Sequence, residues 1–499
     1  MNGSALLPLA ILLSSLVPGL IIFALPEERH LTRTVLNLAG AFSKLSLVGV
    51  LFLGVFAGQE FEFRLPLLPG MDLVLHVDAL SLLFLVLSAF LWFVTTIYAI
   101  GYLEDSPHRS RFFGFFSLCV SATTGIAMAG DLVSFVIFYE ILTVTTYPLV
   151  VHRGTPEALR AGRIYLTYTL CGGALLLVAT VWLRALAGPL DFVATGTLSV
   201  LDPSLHPTLK LIFVLLIVAL GVKAALVPLH AWLPVAMVAP APVSALLHAV
   251  AVVKAGAFGI MRVVYDVFGI EFAASLGLLK PLAAVAAVTI LYGSLRALAQ
   301  DDLKRRLAYS TVSQVSYIIL GIAVVGPLAT IGGLVHLVHQ GMMKITLFFC
   351  AGNLAETLGI HKISEMAGVG RRMPWSMAAF TIAALGMIGV PPTVGFVSKW
   401  YLALGSLEAH QPWVLLVLVI STLLNAAYFL PILYSAWFGT PPHAWPHEHL
   451  GSDRRETTWA LLLPPLLTAL LVVLLGLFAS APFSPLQWVK LIAAREYGP

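Results

Sequence analysis

Apolar runs of about twenty residues, each closed by a short basic or turn-forming stretch, recur from one end of the chain to the other, and each suffices to cross about 30 Å of hydrocarbon. They predict an all-α polytopic membrane protein of about fourteen transmembrane helices. The expected spans are 5–25, 35–57, 80–102, 112–129, 132–151, 164–187, 211–238, 243–264, 272–296, 307–325, 331–353, 375–404, 413–437 and 458–478. Two of them are interrupted. In LIFVLLIVALGVKAALVPLHAWLPVAMV, Pro228 and Pro234 remove backbone donors, so the 211–238 helix should open around 229–233. In 375–404, Pro391 and Pro392 precede Gly395 and Lys399. Each broken helix carries a lysine beside its break, the trace of a repeat with a half-site in each unit.

The fourth to eighth and ninth to thirteenth helices would then be two inverted five-helix repeats, since an odd number of spans reverses the second unit. The chain divides accordingly into 1–111 (three N-terminal helices), 112–264 (first repeat), 265–440 (second repeat) and 441–499 (a cytoplasmic loop and the last helix). The long connections are expected near 60–75, 189–207 and 443–456, leaving no room for a soluble or nucleotide-binding domain.

Composition sharpens the class. Of 499 residues, 59% are apolar and 10% charged, against about 25% charged in soluble domains. The net charge of +4 gives no reason to invoke nucleic acid. Its distribution matters more, because Arg29, Arg33, Arg109, Arg111, Arg153, Arg160, Arg163, Lys304, Arg305, Arg306, Arg371, Arg454 and Arg455 fall on one face of the predicted bundle. The positive-inside rule puts that face in the cytoplasm and both termini outside. The opening MNGSALLPLA lacks the basic region of a cleaved leader, so the first helix is expected to be structural. Cys119, Cys171 and Cys350 lie in predicted spans, and neither a disulfide nor a metal site is read from them.

The chemistry lies in the charges at membrane depth. Lys223 stands about 20 Å past Lys210 along its helix, too deep to snorkel to the rim. Glu140, in DLVSFVIFYEILTVTTYPLVV, must pair, protonate or face water, and Lys223 is its expected partner. Such a pair holds or releases a proton according to its separation; a static salt bridge is the competing reading. Lys254 and His248 follow on the eighth helix, and His336, His339 and Lys344 on the eleventh. His230 and His248 either relay protons or bond carbonyls freed by the break. His336 and His339 lack the further ligands a metal would need. The row Glu140, Lys223, Lys254, His336 or His339, Lys399 runs through both repeats, and its titrations should be coupled.

At FYEILTVTTYPLV, GVKAALVPLHAWLPVAMVAPAPVSALLHAVAVVKAG, DDLKRRLAYSTVSQ and HQGMMKITLFFCAGN the chain resembles the antiporter-like subunit family shared by Mrp-type cation/proton antiporters, the membrane arm of respiratory complex I and membrane-bound hydrogenases. The resemblance implies that Glu140 and Lys223 are the coupled pair, Lys254 the connecting lysine, His336 or His339 the relay, and Lys399 the terminal lysine. It implies a proton-translocating subunit, without cofactor, working among other membrane subunits in the lipid bilayer of a prokaryotic cytoplasmic membrane. Protons are the expected cargo, with sodium the counter-ion in the Mrp branch. Lys399, where one complex I relative has glutamate, and the lack of long extensions favour a member like the MrpD component of the Mrp antiporter; the complex I and hydrogenase branches stay open. A quinone-binding redox subunit is the rival from another class, and the sequence offers no haem, flavin or iron–sulfur ligand set for it.

Overall fold

Inside a hydrocarbon layer every backbone N–H and C=O must be paired within the protein, so the apolar runs fold as helices. The computed structural model describes residues 3–103, 106–447 and 456–497. The expected 443–456 loop, with Arg454 and Arg455, lies outside the described residues over 448–455. Helices α1 (Gly3–Phe23) and α2 (His30–Phe56) precede a hairpin of β1 (Phe61–Leu68) and β2 (Met71–Val77), then α3 (Ala79–Tyr102). Next come α4 (Arg109–Met128), α5 (Leu132–Val150), α6 (Pro156–Ala187), α7 (His206–Lys223), α8 (Trp232–Val235), α9 (Ala241–Ala245) and α10 (Val252–Arg262). After α11 (Ile270–Ser275) follow α12 (Leu279–Leu298), α13 (Leu303–Ala323), α14 (Pro327–Leu358), α15 (Val369–Arg372), α16 (Pro374–Ile388), α17 (Val394–Glu408), α18 (Pro412–Phe438), α19 (Trp459–Leu477) and α20 (Pro485–Tyr497).

Among the described residues twelve helices are long and apolar enough to cross a membrane, so the expected fourteen is not reached on that measure. The two shortfalls have physical causes. Helix α13 is 21 residues long but opens on Lys304, Arg305 and Arg306 and carries Ser310, Thr311, Ser313, Gln314 and Ser316. The 375–404 span is cut into α16 and α17, 15 residues each, about 22 Å of helix apiece.

Both predicted breaks are present, one displaced. Helix α7 ends at Lys223, and 224–231 is non-helical, ahead of the expected 229–233. Ala225 takes a left-handed φ of 58°, and the N–H of Val227 donates to Thr289 Oγ1 at 3.1 Å. The carbonyl of Val222, at the helix end, accepts from the Ala225 N–H at 3.2 Å and from Trp232 Nε1 at 2.7 Å. This satisfies a group that burial would otherwise make costly. At the second break, Gly389 adopts a left-handed φ of 95°, the usual way to close a helix. The expected regular helix 243–264 is instead α9 and α10 joined and extended by π-helical turns at Leu246–Val250 and Val263–Phe268. Such turns recur at functional sites.

The hairpin replaces an expected loop. Its register pairs Phe61 with Val77 and Arg64 with Val74. Val74 is pinned to the α4–α5 turn, its N–H donating to Ser134 Oγ at 2.8 Å while its carbonyl accepts from Gly130 at 2.9 Å. The membrane-spanning stretch 241–268 is buried throughout, as is 329–354 of α14, whereas α1, α2 and α6 show apolar faces outward. The candidate chemistry sits on these two buried elements and on the helices packed around them.

Candidate functional site

Lys223 closes α7 and turns into the bundle, where it is fully buried. Its Nζ donates to the backbone carbonyl of Tyr139 at 2.5 Å and lies 3.3 Å from the centroid of that ring. Glu140 is the next residue of α5. Its side chain packs against α6, where a methyl group on Gly173 would come within 2.0 Å of Oε1. Glu140 Oε1 has no hydrogen-bond partner, and among the described residues no ion pair joins Glu140 to Lys223. The expected direct pair is thus replaced by two charges held side by side through Tyr139.

Helix α10 passes the break at van der Waals distance: a Cβ on Gly256 would sit 2.3 Å from the Ala224 nitrogen, so only glycine lets the helices meet there. Two residues before it, Lys254 Nζ donates to the carbonyl of Leu337 on α14 at 2.8 Å. The adjacent residue, His336, has both ring nitrogens engaged, Nδ1 with Ser398 Oγ at 2.8 Å and Nε2 with Gln314 Oε1 at 3.1 Å. With the glutamine oxygen as acceptor, Nε2 carries the proton and Nδ1 accepts from the serine hydroxyl. Ser398 precedes Lys399, whose Nζ reaches back over the second break to the carbonyls of Met387 (3.0 Å) and Ile388 (2.7 Å) and to Thr422 Oγ1 (3.3 Å). A cation on the terminal carbonyls of α16 is favoured by the helix dipole.

Glu140 and Lys223 thus meet at Tyr139, and Lys254, His336 and Lys399 are linked in turn through Leu337 and Ser398; the two groups come together where α10 packs on the first break at Gly256 and Ala224. Lys223, Lys254 and His336 are 0% exposed, while Glu140 and Lys399 are only partly buried. The row is buried in its middle and reaches the protein flank at both ends, beside the exposed Val144 and Trp400. The other candidates stand apart from these contacts. His339 is buried with Nδ1 unpartnered. His248 stacks on Phe348 at 4.6 Å with neither nitrogen bonded. His230, in the first break, packs edge-on to Tyr292 at 5.0 Å. Lys344 bonds to Leu307 O at 3.0 Å and to Ser310 Oγ.

Sequence reading missed Gln314 and Ser398, which carry no charge to mark them. It also missed Lys44, 0% exposed in the middle of α2, donating to Ser15 Oγ (2.7 Å) and Thr124 Oγ1 (2.6 Å) and 4.9 Å from the Trp92 ring. The depth that singled out Lys223 would have found it.

Known proteins share this arrangement of helices. A family model described as NADH:quinone oxidoreductase/Mrp antiporter, TM, matches residues 129–425, and one described as NADH-ubiquinone oxidoreductase (complex I), chain 5 N-terminus, matches 70–113. The N-type subunit of the NADH-quinone oxidoreductase of Desulforudis audaxviator is 39% identical over 422 residues, 82% of each chain. The D-type subunit of the Na(+)/H(+) antiporter of Bacillus subtilis is 26% identical over 484 residues, 96% of this chain and 94% of its own. A chain of the Mrp complex from Dietzia sp. DQ12-45-1b superposes with a TM-score of 0.88 at 23% identity, covering 100% of this chain and 98% of that one.

Proposed function

Because the chain belongs to the transmembrane family of NADH:quinone oxidoreductases and Mrp antiporters, we propose that it is a proton-translocating subunit of a multisubunit membrane complex, of the MrpD type. The observation that carries this reading is the row from Glu140 to Lys399, buried in the middle and open to the flank at both ends. A charge change at one flank alters the field at the next member, because little water screens it there. Neighbouring membrane subunits at those flanks would pass the change on. Glu140 and Lys223 are the responsive pair, Lys254 and His336 the connectors and Lys399 the far terminus, with His339, His248 and His230 as side branches.

The near end-to-end match to the D-type subunit of a Na(+)/H(+) antiporter supports the Mrp assignment. The higher identity to the N-type subunit of an NADH-quinone oxidoreductase favours a second reading, in which a redox reaction drives the same row. In both, the membrane is a prokaryotic cytoplasmic one with the basic face of the bundle inward and both termini outward. The row lies within the two five-helix units 112–264 and 265–440, each broken in its fourth helix.

Purifying the complex from its source and reconstituting it in vesicles tests the proposal. Proton flux that needs Lys223 and Lys254 is expected. Co-purification of small membrane subunits alone would support the Mrp form, and hydrophilic redox subunits the other. Fully coupled transport by the isolated chain would contradict the need for partners.

A further inference from the structure

On the face that carries the hairpin, five charged side chains from three parts of the chain meet at the end of α10. Arg262 binds both oxygens of Asp78, at 2.7 and 2.8 Å, and reaches Asp266 at 2.7 Å and Ser81 Oγ at 2.6 Å. Arg495 of α20 binds the same two aspartates at 2.6 Å each. Helix α20 is fixed there by Trp488, whose Nε1 donates to the Ala79 carbonyl at 2.8 Å. Glu496 completes the group. It is 3% exposed, and neither of its oxygens has a hydrogen-bond partner, with Arg495 Nε 3.3 Å away.

The charges do not balance. Asp78, Asp266 and Glu496 face only two guanidinium groups, whose hydrogen bonds to carboxylates all go to the aspartates, leaving Glu496 only the ion-pair contact with Arg495 Nε. The group holds one proton more easily than none, and Glu496, without donors, is where that proton would sit. Burial, then Asp266, push the Glu496 carboxyl up to about 7. Tyr265, Thr330 and Tyr497 add a hydroxyl chain (3.1 and 2.9 Å) ending at the Gly326 N–H, near Glu408. Arg262 lies two turns beyond Lys254 on the same buried helix, and Thr330 less than two turns before His336 on α14.

The geometry points to Glu496, held among Asp78, Arg262, Asp266 and Arg495, as the site where protons leave or enter the buried row on the hairpin face. The inference rests on the proposed proton-translocating function. No bond is made or broken beyond O–H: the carboxyl gives its proton to water and regains it from the row.

The test uses the intact complex in vesicles, matched for complex content, with Glu496→Gln, Glu496→Asp and Lys254→Met side by side. Flux is expected to fall about tenfold or more in Glu496→Gln and to recover in part in Glu496→Asp. Infrared difference spectra should show a protonated-carboxyl band that titrates near pH 7 and is missing from Glu496→Gln. Loss of flux without loss of that band would make Glu496 a mere structural strut and overturn the inference. Normal flux in Glu496→Gln with loss in Lys254→Met would overturn it while leaving the proposed function standing; normal flux in both would overturn both.

Discussion

Lys223 donates to the backbone carbonyl of Tyr139, not to the carboxylate of Glu140 beside it in the chain. The carbonyl dipole and the electron-rich ring 3.3 Å away hold the ammonium whether or not Glu140 is charged. The carboxylate then acts on the lysine by its field alone, and its protonation changes that field without a bond to break. A tight ion pair would lock both partners; this arrangement leaves each free to titrate against the other.

Lys223→Ala should abolish transport, and Lys223→Arg should fail too, because guanidinium keeps its proton where an amine can release it. Glu140→Gln should lower flux about tenfold or more, since the amide no longer changes charge. All three are expected to leave the amount of assembled complex unchanged. Near-normal flux through Lys223→Arg would show that fixed charge suffices.

Gly173 offers a gentler probe of the same pair. A methyl group there would sit 2.0 Å from Glu140 Oε1 and 2.5 Å from its Cδ, so Gly173→Ala must drive the carboxylate away from α6. Flux is expected to fall several-fold while yield and thermal stability hold, because Glu140 has room toward the flank. Unaltered flux would mean that the position of the carboxylate is not tuned.

The parts that were legible in the sequence are those written in single residues. A lysine or glutamate amid twenty apolar neighbours announces itself as a candidate, as do Pro228, Pro391 and Pro392 as breaks, and both breaks followed. Steps that run through backbone carbonyls, Tyr139 to Lys223 and Leu337 to Lys254, leave no mark in a sequence. The early opening of the first break depends on Thr289 and Trp232, one of them some sixty residues away. The hairpin has only a weak signature, an alternating FEFRL and a Pro69-Gly70 turn set between long apolar runs. Helix α20 is short and mixed, so its ion pairs to Asp78 and Asp266 were beyond reach.

His152, in the turn between α5 and α6, gives a pH dependence outside the membrane. It is 9% exposed, and burial followed by Arg111, His108 and Arg153 pulls its pKa down to about 4. The unfolded chain binds a proton near pH 6.5 and the folded one does not, so the stability present above about 6.5 drains away as pH falls toward about 4, by at most about 3 kcal/mol. Thermal unfolding of the purified complex should therefore depend less on pH across that window in His152→Asn. Identical slopes in the two proteins would refute the assignment.

Lys44 and Lys254 are equally buried and lie in the interior of apolar helices, so comparing them separates membership of the row from burial itself. The bonds of Lys44 go to Ser15 on α1 and Thr124 on α4, and none reaches the row. Those hydroxyls keep other partners when the lysine is removed, Ser15 with Ser121 Oγ at 2.7 Å and Thr124 with the Val120 carbonyl at 2.7 Å. No buried polar group would be stranded by Lys44→Met, and apolar replacement of a buried charge is often neutral or stabilising by about 1–4 kcal/mol. Lys44→Met is accordingly expected to match or exceed the wild-type melting temperature and to keep flux within about twofold. Lys254→Met loses the hydrogen bond that links α10 to Leu337, next to His336, and should cut flux about tenfold or more at unchanged complex content. If Lys44→Met instead stops transport in a fully assembled complex, protons reach the three N-terminal helices as well, and the row from Glu140 to Lys399 is not the whole route.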